Sequence, residues 1–498
     1  MSLGTAIAQN LPALQVVLPL LAAPVCLLLG RGRAAWAWAT LVAWLGLLIS
    51  LALLLQVSDG SVLRYAFGGW AAPWGIEYVV DRLAAMVLLI VSLIGALVLS
   101  YARHSVDAEI DADRQPLFYT LLLLCLAGLL GIVITGDAFN LFVLLEVSSL
   151  STYALISLGR NRRALTAAYQ YLVMGTIGAT FYIIGVGLLY MVTGTLNMAD
   201  LAQRLPELAH LRTVKTAFAF ISVGLALKLA MFPLHLWLPN AYTYAPSVVS
   251  AFLAATATKV ALYAMIRMFY TVFGAPFSFG TMHVEWLILP LAAAAIFIAS
   301  VVAVFQHDIK RMLAYSSVAQ IGYMLLGLGM VNLTGLTASL LHLFNHALMK
   351  GALFLALGAV VYRIGSTNIE RMGGIAREMP WTMAAFVVGG LSLIGVPLTV
   401  GFVSKWYLLL GAMENGWWPL VILILATSLI AVVYVWRVVE AAYFRARPAG
   451  SAPVSEAPLT LLVPIWLLAL ANVYLGIHTR PLIGLAGSAA ADLLGVGP

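Results

Sequence analysis

The stretch AFISVGLALKLAMFPLHLWLP (Ala219–Pro239) carries one lysine, Lys228, inside an otherwise apolar run that also contains Pro233. A charged side chain at bilayer depth costs about 2.5–3.5 kcal/mol on insertion scales. Helix packing does not require a charged residue at this position, whereas a protein that moves charge across a membrane does. The same cost recurs within other apolar runs, at Glu146, Lys259, Lys350 and Lys405.

The composition is that of an all-α polytopic membrane protein. Of the 498 residues, 63% are hydrophobic and 9% are charged, whereas soluble domains are about 45–50% apolar and about 25% charged. The net charge of +7 arises in short loops, so the expected partner is a lipid bilayer and not a nucleic acid. Cys26 and Cys125 lie far apart in apolar runs, which argues against a thiolate metal site. We expect no metal and no cofactor.

Runs of about 20 apolar residues predict about fourteen membrane spans in a single membrane domain, residues 1–498. The first of them follows no positive charge, so we interpret it as a membrane helix and not as a signal peptide. The predicted spans are 11–30, 35–56, 80–101, 117–135, 139–158, 165–193, 216–238, 247–271, 285–305, 312–332, 335–362, 381–412, 417–443 and 458–477.

The distribution of basic residues predicts the orientation of the chain. Loops after odd-numbered spans hold fifteen lysines and arginines, and the other loops hold seven. Because basic residues concentrate on the cytoplasmic side, we expect both termini to lie outside.

Two spans contain proline. The seventh carries Pro233 and the twelfth carries Pro397, and each has a lysine close to the proline, Lys228 and Lys405. Proline removes a helical hydrogen bond, which is tolerated at bilayer depth where the freed carbonyls face protein or water. Broken helices at corresponding positions of two halves are typical of inverted-repeat transporters. Two unrelated proline kinks are the alternative.

Glu146 and the buried lysines can carry protons. A carboxylate in hydrocarbon needs a partner, and Lys228 is the nearest candidate by motif. A static ion pair between two helices is the alternative interpretation. Lys228 and Lys259 have no second carboxylate to neutralise them. A buried lysine can release and rebind its proton near neutral pH, which is what a proton relay requires. Snorkelling to the interface is the alternative, chiefly for Lys405.

His342, His346 and Lys350 are spaced by four residues in the eleventh span and therefore project from one helix face. Imidazole both donates and accepts near neutral pH, so the stripe suits proton hopping. Metal binding is disfavoured because the glutamate of an HExxH motif is absent. Nearby polar side chains could hold water or simply join helices, namely Thr256, Thr258, Ser316, Ser317 and Tyr323.

These positions resemble a known family. The segments KLAMFPLHLWLPNAYTYAPSVVSAFLAATATKVALYAMIR (Lys228–Arg267), HDIKRMLAYSSVAQIGYM (His307–Met324) and NHALMKGALF (Asn345–Phe354) are similar to the antiporter-like membrane subunits of complex I, membrane-bound hydrogenases and Mrp antiporters. Within that family the chain most resembles the D-type subunits of Mrp antiporters. The resemblance implies two inverted five-helix repeats, residues 116–271 (spans 4–8) and 285–443 (spans 9–13), flanked by spans 1–3 and 14.

The resemblance also implies a proton path through Glu146, Lys228, Lys259 and Lys405. We therefore predict a non-enzymatic, proton-conducting subunit of a multi-subunit Na⁺ or K⁺/H⁺ antiporter in a prokaryotic cell (inner) membrane, with other hydrophobic subunits as partners. A subunit of a redox-driven proton pump, in an assembly like complex I or a hydrogenase, is the alternative. A non-conducting scaffold is a third possibility, but its ionisable residues would be replaced or missing.

Overall fold

The chain forms a helical bundle in a computed structural model, which describes residues 3–496 and the side chains from residue 8 onward. Over this range, twelve stretches are long and apolar enough to cross a membrane. The predicted seventh and twelfth spans are each divided into two shorter helices, and together with the twelve stretches they account for every predicted span. The helices are α1 (Leu3–Leu28), α2 (Gly32–Val57), α3 (Arg82–Glu109), α4 (Gln115–Ile134), α5 (Ala138–Ser157), α6 (Arg163–Thr193), α7 (Met198–Leu208), α8 (Arg212–Leu229), α9 (Trp237–Tyr244), α10 (Ser247–Ala255), α11 (Ala257–Ile266), α12 (Glu285–Val304), α13 (Ile309–Gly329), α14 (Leu333–Ile364), α15 (Pro380–Ile394), α16 (Val400–Glu414), α17 (Trp418–Phe444), α18 (Leu459–Ile477) and α19 (Arg480–Leu494).

Helix α14 lies at the centre of the bundle. Its residues from Gly335 to Val360 are buried without exception, and it packs against α3, α10, α13, α15, α16, α18 and α19. A charged side chain is costly on a helix that is buried on all sides, because no part of the helix surface reaches water. The ionisable side chains on this helix are therefore enclosed by protein and not by lipid.

One end of the bundle carries a small β-hairpin that the sequence patterns did not predict. Strands β1 (Leu63–Ala66) and β2 (Glu77–Val80) pair antiparallel. The hairpin is joined to the α4–α5 connection, where the Gly136 amide donates to the Glu77 carbonyl at 2.8 Å. We call this end of the bundle the hairpin face. Two further helices outside the predicted spans, α7 and α19, were also missed.

The two halves of the bundle share a recurring local geometry. Asp137 caps the N-terminus of α5, and its backbone forms an isolated antiparallel β-bridge with that of Asn197. Asp308 caps α13 and forms a bridge with Asn368 at the same sequence offset. Helix α5 begins beside the hairpin, as the bond of Gly136 to Glu77 shows. Helix α13 begins near the opposite end of α3, because Lys310 bonds Ala245 and the nearby Ser247 amide bonds Glu109 at the end of α3. Inverted repeats would begin at opposite ends in this way. The boundaries 116–271 and 285–443 stay a prediction.

Helices α6 and α8 pack closely through glycines. A Cβ atom on Gly224 would lie 2.6 Å from the Gly178 carbonyl oxygen and 2.7 Å from the Tyr182 amide nitrogen. Both neighbours are backbone atoms, so the helices would have to separate to admit a side chain. This contact fixes the helix that carries Lys228 against its neighbour.

Gly224→Ala should therefore destabilise the protein by about 1–3 kcal/mol, the usual cost of overpacking. Thermal unfolding of the detergent-purified protein measures the change. Gly187→Ala on α6 is the matched control, because no atom lies within 4 Å of its Cβ position, and alanine favours helix over glycine. Equal unfolding temperatures for the two variants would contradict the assigned contact.

Candidate functional site

The predicted pairing between Lys228 and Glu146 is present. The Lys228 Nζ donates to Glu146 Oε1 at 3.0 Å and to Ser149 Oγ at 2.7 Å. The two side chains are 4% and 22% exposed, respectively. Lys228 is thus enclosed, whereas Glu146 reaches the outer surface of this subunit. Ser149, one turn after Glu146 on α5, was not predicted as a partner.

The break in the seventh span lies just after Lys228. Helix α8 ends at Leu229, and Ala230 adopts a left-handed conformation with φ 59°. Pro233 follows, and α9 starts at Trp237. The Trp237 indole N–H donates to the Leu227 carbonyl at 3.1 Å. The break thus keeps a carbonyl of the last turn of α8 bonded within the protein, which a membrane interior requires.

Lys259 also follows a break, which lies inside the predicted span 247–271 and was not predicted, although Ser247–Val272 still forms one membrane-crossing stretch. Helix α10 ends at Ala255 and α11 begins at Ala257, because Thr256 has a non-helical backbone. The fully buried Lys259 ammonium donates to the Ala254 carbonyl, with Thr258 Oγ1 at 3.4 Å. The Thr256 hydroxyl donates to its own helix, at the Phe252 carbonyl.

The histidines of α14 form the predicted stripe. The rings of His342 and His346 stack at 4° with centroids 6.1 Å apart. His342 Nε2 lies 2.7 Å from Gln320 Oε1, and its Nδ1 lies 2.8 Å from Ser404 Oγ. Neither ring nitrogen of the buried His346 has a hydrogen-bond partner among the described residues. The stripe therefore connects α14 to α13 and to α16, with one unsatisfied imidazole in the middle.

Lys350 ends the stripe and reaches α13. Its ammonium donates to the Leu313 carbonyl at 2.7 Å and to the Ser316 hydroxyl. The neighbouring Ser317 donates to the Leu313 carbonyl at 3.1 Å and does not contact a lysine. Of the two serines predicted as polar neighbours, Ser316 is therefore the one that contacts an ionisable group.

Lys405 lies at the break in the twelfth span. Helix α15 ends at Ile394, and Gly395 has φ 93°, before Pro397 and the start of α16. The Lys405 Nζ donates to the carbonyls of Ile394 at 2.8 Å and Leu393 at 3.1 Å. Lys405 is 5% exposed, so the snorkelling alternative is wrong. Its ammonium instead bonds the orphan carbonyls at the negative end of a half-helix.

Tyr323 connects Lys405 to the α17 helix. The Lys405 Nζ lies 5.0 Å from the Tyr323 ring centroid and 3.1 Å from Ser428 Oγ. The Tyr323 hydroxyl is 2.7 Å from Thr427 Oγ1. This predicted polar side chain therefore contacts the ionisable group through its ring, while its hydroxyl joins two helices.

Two basic residues that were counted as loop charges are buried. Lys310 is 4% exposed, and its Nζ donates to the Ala245 carbonyl at 2.9 Å. Arg267 is 9% exposed and forms an ion pair with Asp81. Their positions near the ends of apolar runs gave no sequence signal to distinguish them from loop residues. In the part of the chain that the structure describes, no three His, Cys, Asp or Glu side chains cluster so as to hold a metal ion.

The comparison with known families decides the classification. Residues 135–431 match the family described as "NADH:quinone oxidoreductase/Mrp antiporter, TM". The chain belongs to this family. The resemblance inferred from the sequence is thereby confirmed, and the matched segment contains Glu146, the buried lysines and both histidines of the stripe.

Relatives of two kinds cover nearly the whole chain. The chain is 45% identical to the N subunit of an NADH-quinone oxidoreductase from Desulforudis audaxviator, over 95% of this chain and 97% of that protein. It is 32% identical to the D subunit of a Na⁺/H⁺ antiporter from Alkalihalophilus pseudofirmus, over 90% of each.

The similar solved structures also come from both an Mrp complex and a respiratory complex. A chain of the Mrp complex from Dietzia sp. DQ12-45-1b has a TM-score of 0.89 and 28% identity, with 98% of each chain covered. A chain of the membrane-bound sulfane sulfur reductase, an archaeal respiratory membrane complex, has a TM-score of 0.88 and 32% identity, with 97% of this chain and 98% of that one covered. The protein is an antiporter-like membrane subunit of Mrp or complex I-like assemblies.

Glu146→Gln tests whether the pair with Lys228 sets the charge of that lysine. Glutamine keeps the length of the side chain but removes the counter-charge, so the Lys228 proton should be held less well. We expect proton flux in the reconstituted complex to fall by about tenfold or more, the effect of about 1.4 kcal/mol on a rate. Glu146→Asp retains the charge on a shorter arm and should keep part of the flux.

Glu207→Gln is the control for this prediction, because Glu207 is an exposed acid on α7, outside the site. Its flux should equal that of the unaltered protein. Full flux in Glu146→Gln would show that the pair only joins α5 to α8.

Proposed function

We propose that this chain conducts protons across a prokaryotic membrane as a subunit of a multi-subunit Na⁺ or K⁺/H⁺ antiporter. The observation that supports this most strongly is the set of buried ammonium groups that bond neutral oxygens. Lys259, Lys350 and Lys405 donate to backbone carbonyls and hydroxyls, and none forms an ion pair with a described carboxylate. A permanent buried charge would be costly without a counter-ion, whereas a group that releases its proton avoids that cost.

Contacts near both ends of the route support the order that we propose for the path. Protons reach Lys228, whose charge Glu146 compensates at 3.0 Å, and continue to Lys259 in the centre of the bundle. The stripe on α14 then leads to α16, because His342 contacts Ser404, the residue before Lys405. The unsatisfied ring nitrogens of His346 give a proton a free acceptor in the middle of this route.

The cation is proposed to pass at an interface with another subunit. Glu146 is the one carboxylate that the described residues place within the site, and a hard cation prefers several oxygen ligands. Its side chain is 22% exposed, and on the same helix Val143 and Leu150 are 40% and 56% exposed. A partly exposed carboxylate is unfavourable against lipid, so this face of α5 suits a partner protein.

A redox-driven proton pump is the second candidate. The relative that is 45% identical is named as a subunit of an NADH-quinone oxidoreductase, and a similar solved structure comes from an archaeal respiratory complex. The same buried lysines would serve, with energy supplied by partner subunits that carry electrons. The cations and the partners of this chain distinguish the two candidates.

Lys228→Ala tests the proposed function. The affinity-tagged complex is purified, reconstituted into vesicles and assayed for proton flux driven by a Na⁺ or K⁺ gradient. We expect flux to fall to the level of protein-free vesicles, because the alanine removes both the proton carrier and the partner of Glu146. Lys215→Ala, an exposed lysine at the start of α8, should leave the flux unchanged.

Wild-type flux in Lys228→Ala would overturn the proton path. The partners that co-purify decide between the two assemblies. Hydrophobic subunits without chromophores, together with cation-dependent flux, support the antiporter. Flavin or iron–sulfur absorption, with flux that requires an electron donor, would replace it by the redox-driven pump.

A further inference from the structure

Two adjoining cavities open towards the hairpin face, outside the proton path proposed above. The outer cavity has a volume of about 650 Å³, and its lining includes Asp81, Arg267 and Thr271. The inner cavity, of about 180 Å³, shares these three residues and adds Tyr263 and Glu77. The ion pair of Arg267 with Asp81 therefore borders both cavities, while Tyr263 lines only the inner one.

Asp81 has one oxygen that remains available to water. Its Oδ1 accepts from the Ala84 amide at 2.9 Å, as the N-cap of α3, and from the Arg267 guanidinium. No described residue donates to its Oδ2, and the side chain is 25% exposed. A carboxylate can accept at both oxygens, so Oδ2 is the free acceptor on this cavity wall.

The chain of contacts continues inward from Arg267. Its Nε donates to the Tyr263 hydroxyl at 2.8 Å, and that hydroxyl donates to the Val133 carbonyl at 2.6 Å. Lys259 precedes Tyr263 by four residues on α11, so the two side chains share a helix face with Cβ atoms about 5–6 Å apart. The inner cavity thus ends about one helical turn from a buried member of the proposed relay.

The charges around the cavities do not suit the capture of a metal cation or an anion. The outer cavity is lined by Asp81 and Asp492 against Arg82 and Arg267. In the inner cavity, Glu77 and Asp81 face Arg64 and Arg267. This balance leaves no net charge to attract a small ion of either sign, but the polar walls can order water. Water next to ionisable groups is the medium through which protons move.

We propose that Tyr263, Arg267 and Asp81 form the hairpin-face half of the proton path, joining Lys259 to the water outside. This inference rests on the proposed function. A proton from the water of the outer cavity binds the Asp81 carboxylate, passes through water beside the Tyr263 hydroxyl and binds the Lys259 amine. Asp81 is a neutral acid until it gives up this proton, Lys259 is then an ammonium, and the α14 stripe leads on from it towards Lys405. Arg267 keeps its proton throughout and positions Asp81 and Tyr263.

If Asp81 only capped α3 and held Arg267, replacing it with asparagine would leave the proton flux unchanged. Asparagine caps helix N-termini about as well as aspartate, so Asp81→Asn retains the bond to the Ala84 amide while losing the proton acceptor. We expect this variant to assemble and to lose about tenfold or more of its flux. Asp59→Asn is the matched control, since Asp59 is an exposed acid of the α2–β1 loop near the same face and lines neither cavity.

Tyr263→Phe complements this variant, because it removes only the hydroxyl. It too should lower the flux while the complex assembles normally. If Asp81→Asn and Tyr263→Phe both conduct like Asp59→Asn, these residues only fasten α11 to α3, and the inference is overturned.

A cysteine at Thr271 tests the cavity itself. Thr271 is exposed and lines both cavities, and the chain's own cysteines, Cys26 and Cys125, are buried. A bulky, membrane-impermeant thiol reagent added to the side of the hairpin face should lower the flux of Thr271→Cys by about tenfold or more. The unaltered complex receives the same treatment, which controls for cysteines in partner subunits.

The outcomes separate the inference from the function on which it rests. Mass spectrometry establishes that the cysteine is modified. A fully modified Thr271→Cys complex that conducts at the untreated rate would overturn the hairpin-face path, while flux that still depends on Lys228 would leave the proposed function intact. Loss of flux only after treatment from the hairpin side supports the inference.

Discussion

The structure depends on supplying oxygen acceptors to ammonium groups that lie at bilayer depth. Helix breaks provide them for two of the lysines, because the last carbonyls of a helix have no partner within it. Lys405 bonds the end of α15, and Lys259 bonds Ala254 beside the break at Thr256. Lys228 instead donates to a carboxylate and a hydroxyl of α5. The interruptions in the bundle are therefore part of the site and not defects of the helices.

These acceptors also determine what the lysines can do. A carbonyl or a hydroxyl bonds an ammonium without neutralising it, so the charge remains costly in a medium of low dielectric constant. Only Lys228 has a carboxylate partner among the described residues. The remaining lysines are held in place by neutral oxygens. Such an oxygen can accept a hydrogen bond from an uncharged lysine amine as well as from an ammonium. Together with the stacked histidines of α14, these lysines are the buried polar groups from which the proposed proton path is built.

Much of this was predictable from the sequence, since the cost of burying charge limits where charged residues occur. The lengths of the apolar runs gave the spans, and the isolated acid Glu146 indicated its lysine. The break at Thr256 has no proline to mark it, and the hairpin strands (Leu63–Ala66 and Glu77–Val80) are too short for a search of long apolar runs. The burial of Lys310 and Arg267 depends on tertiary contacts with Ala245 and Asp81, which no local pattern reveals.

The central claim is that the buried lysines release and rebind protons and do not merely fasten helices. Lys405→Arg tests it most directly. Arginine keeps the positive charge and can donate to the carbonyls of Leu393 and Ile394, but it does not deprotonate in proteins. Proton flux is measured with a pH-sensitive dye in vesicles that contain the fully assembled complex. A lysine relay predicts a loss of about tenfold or more in this variant, and flux at the level of the unaltered protein would contradict it.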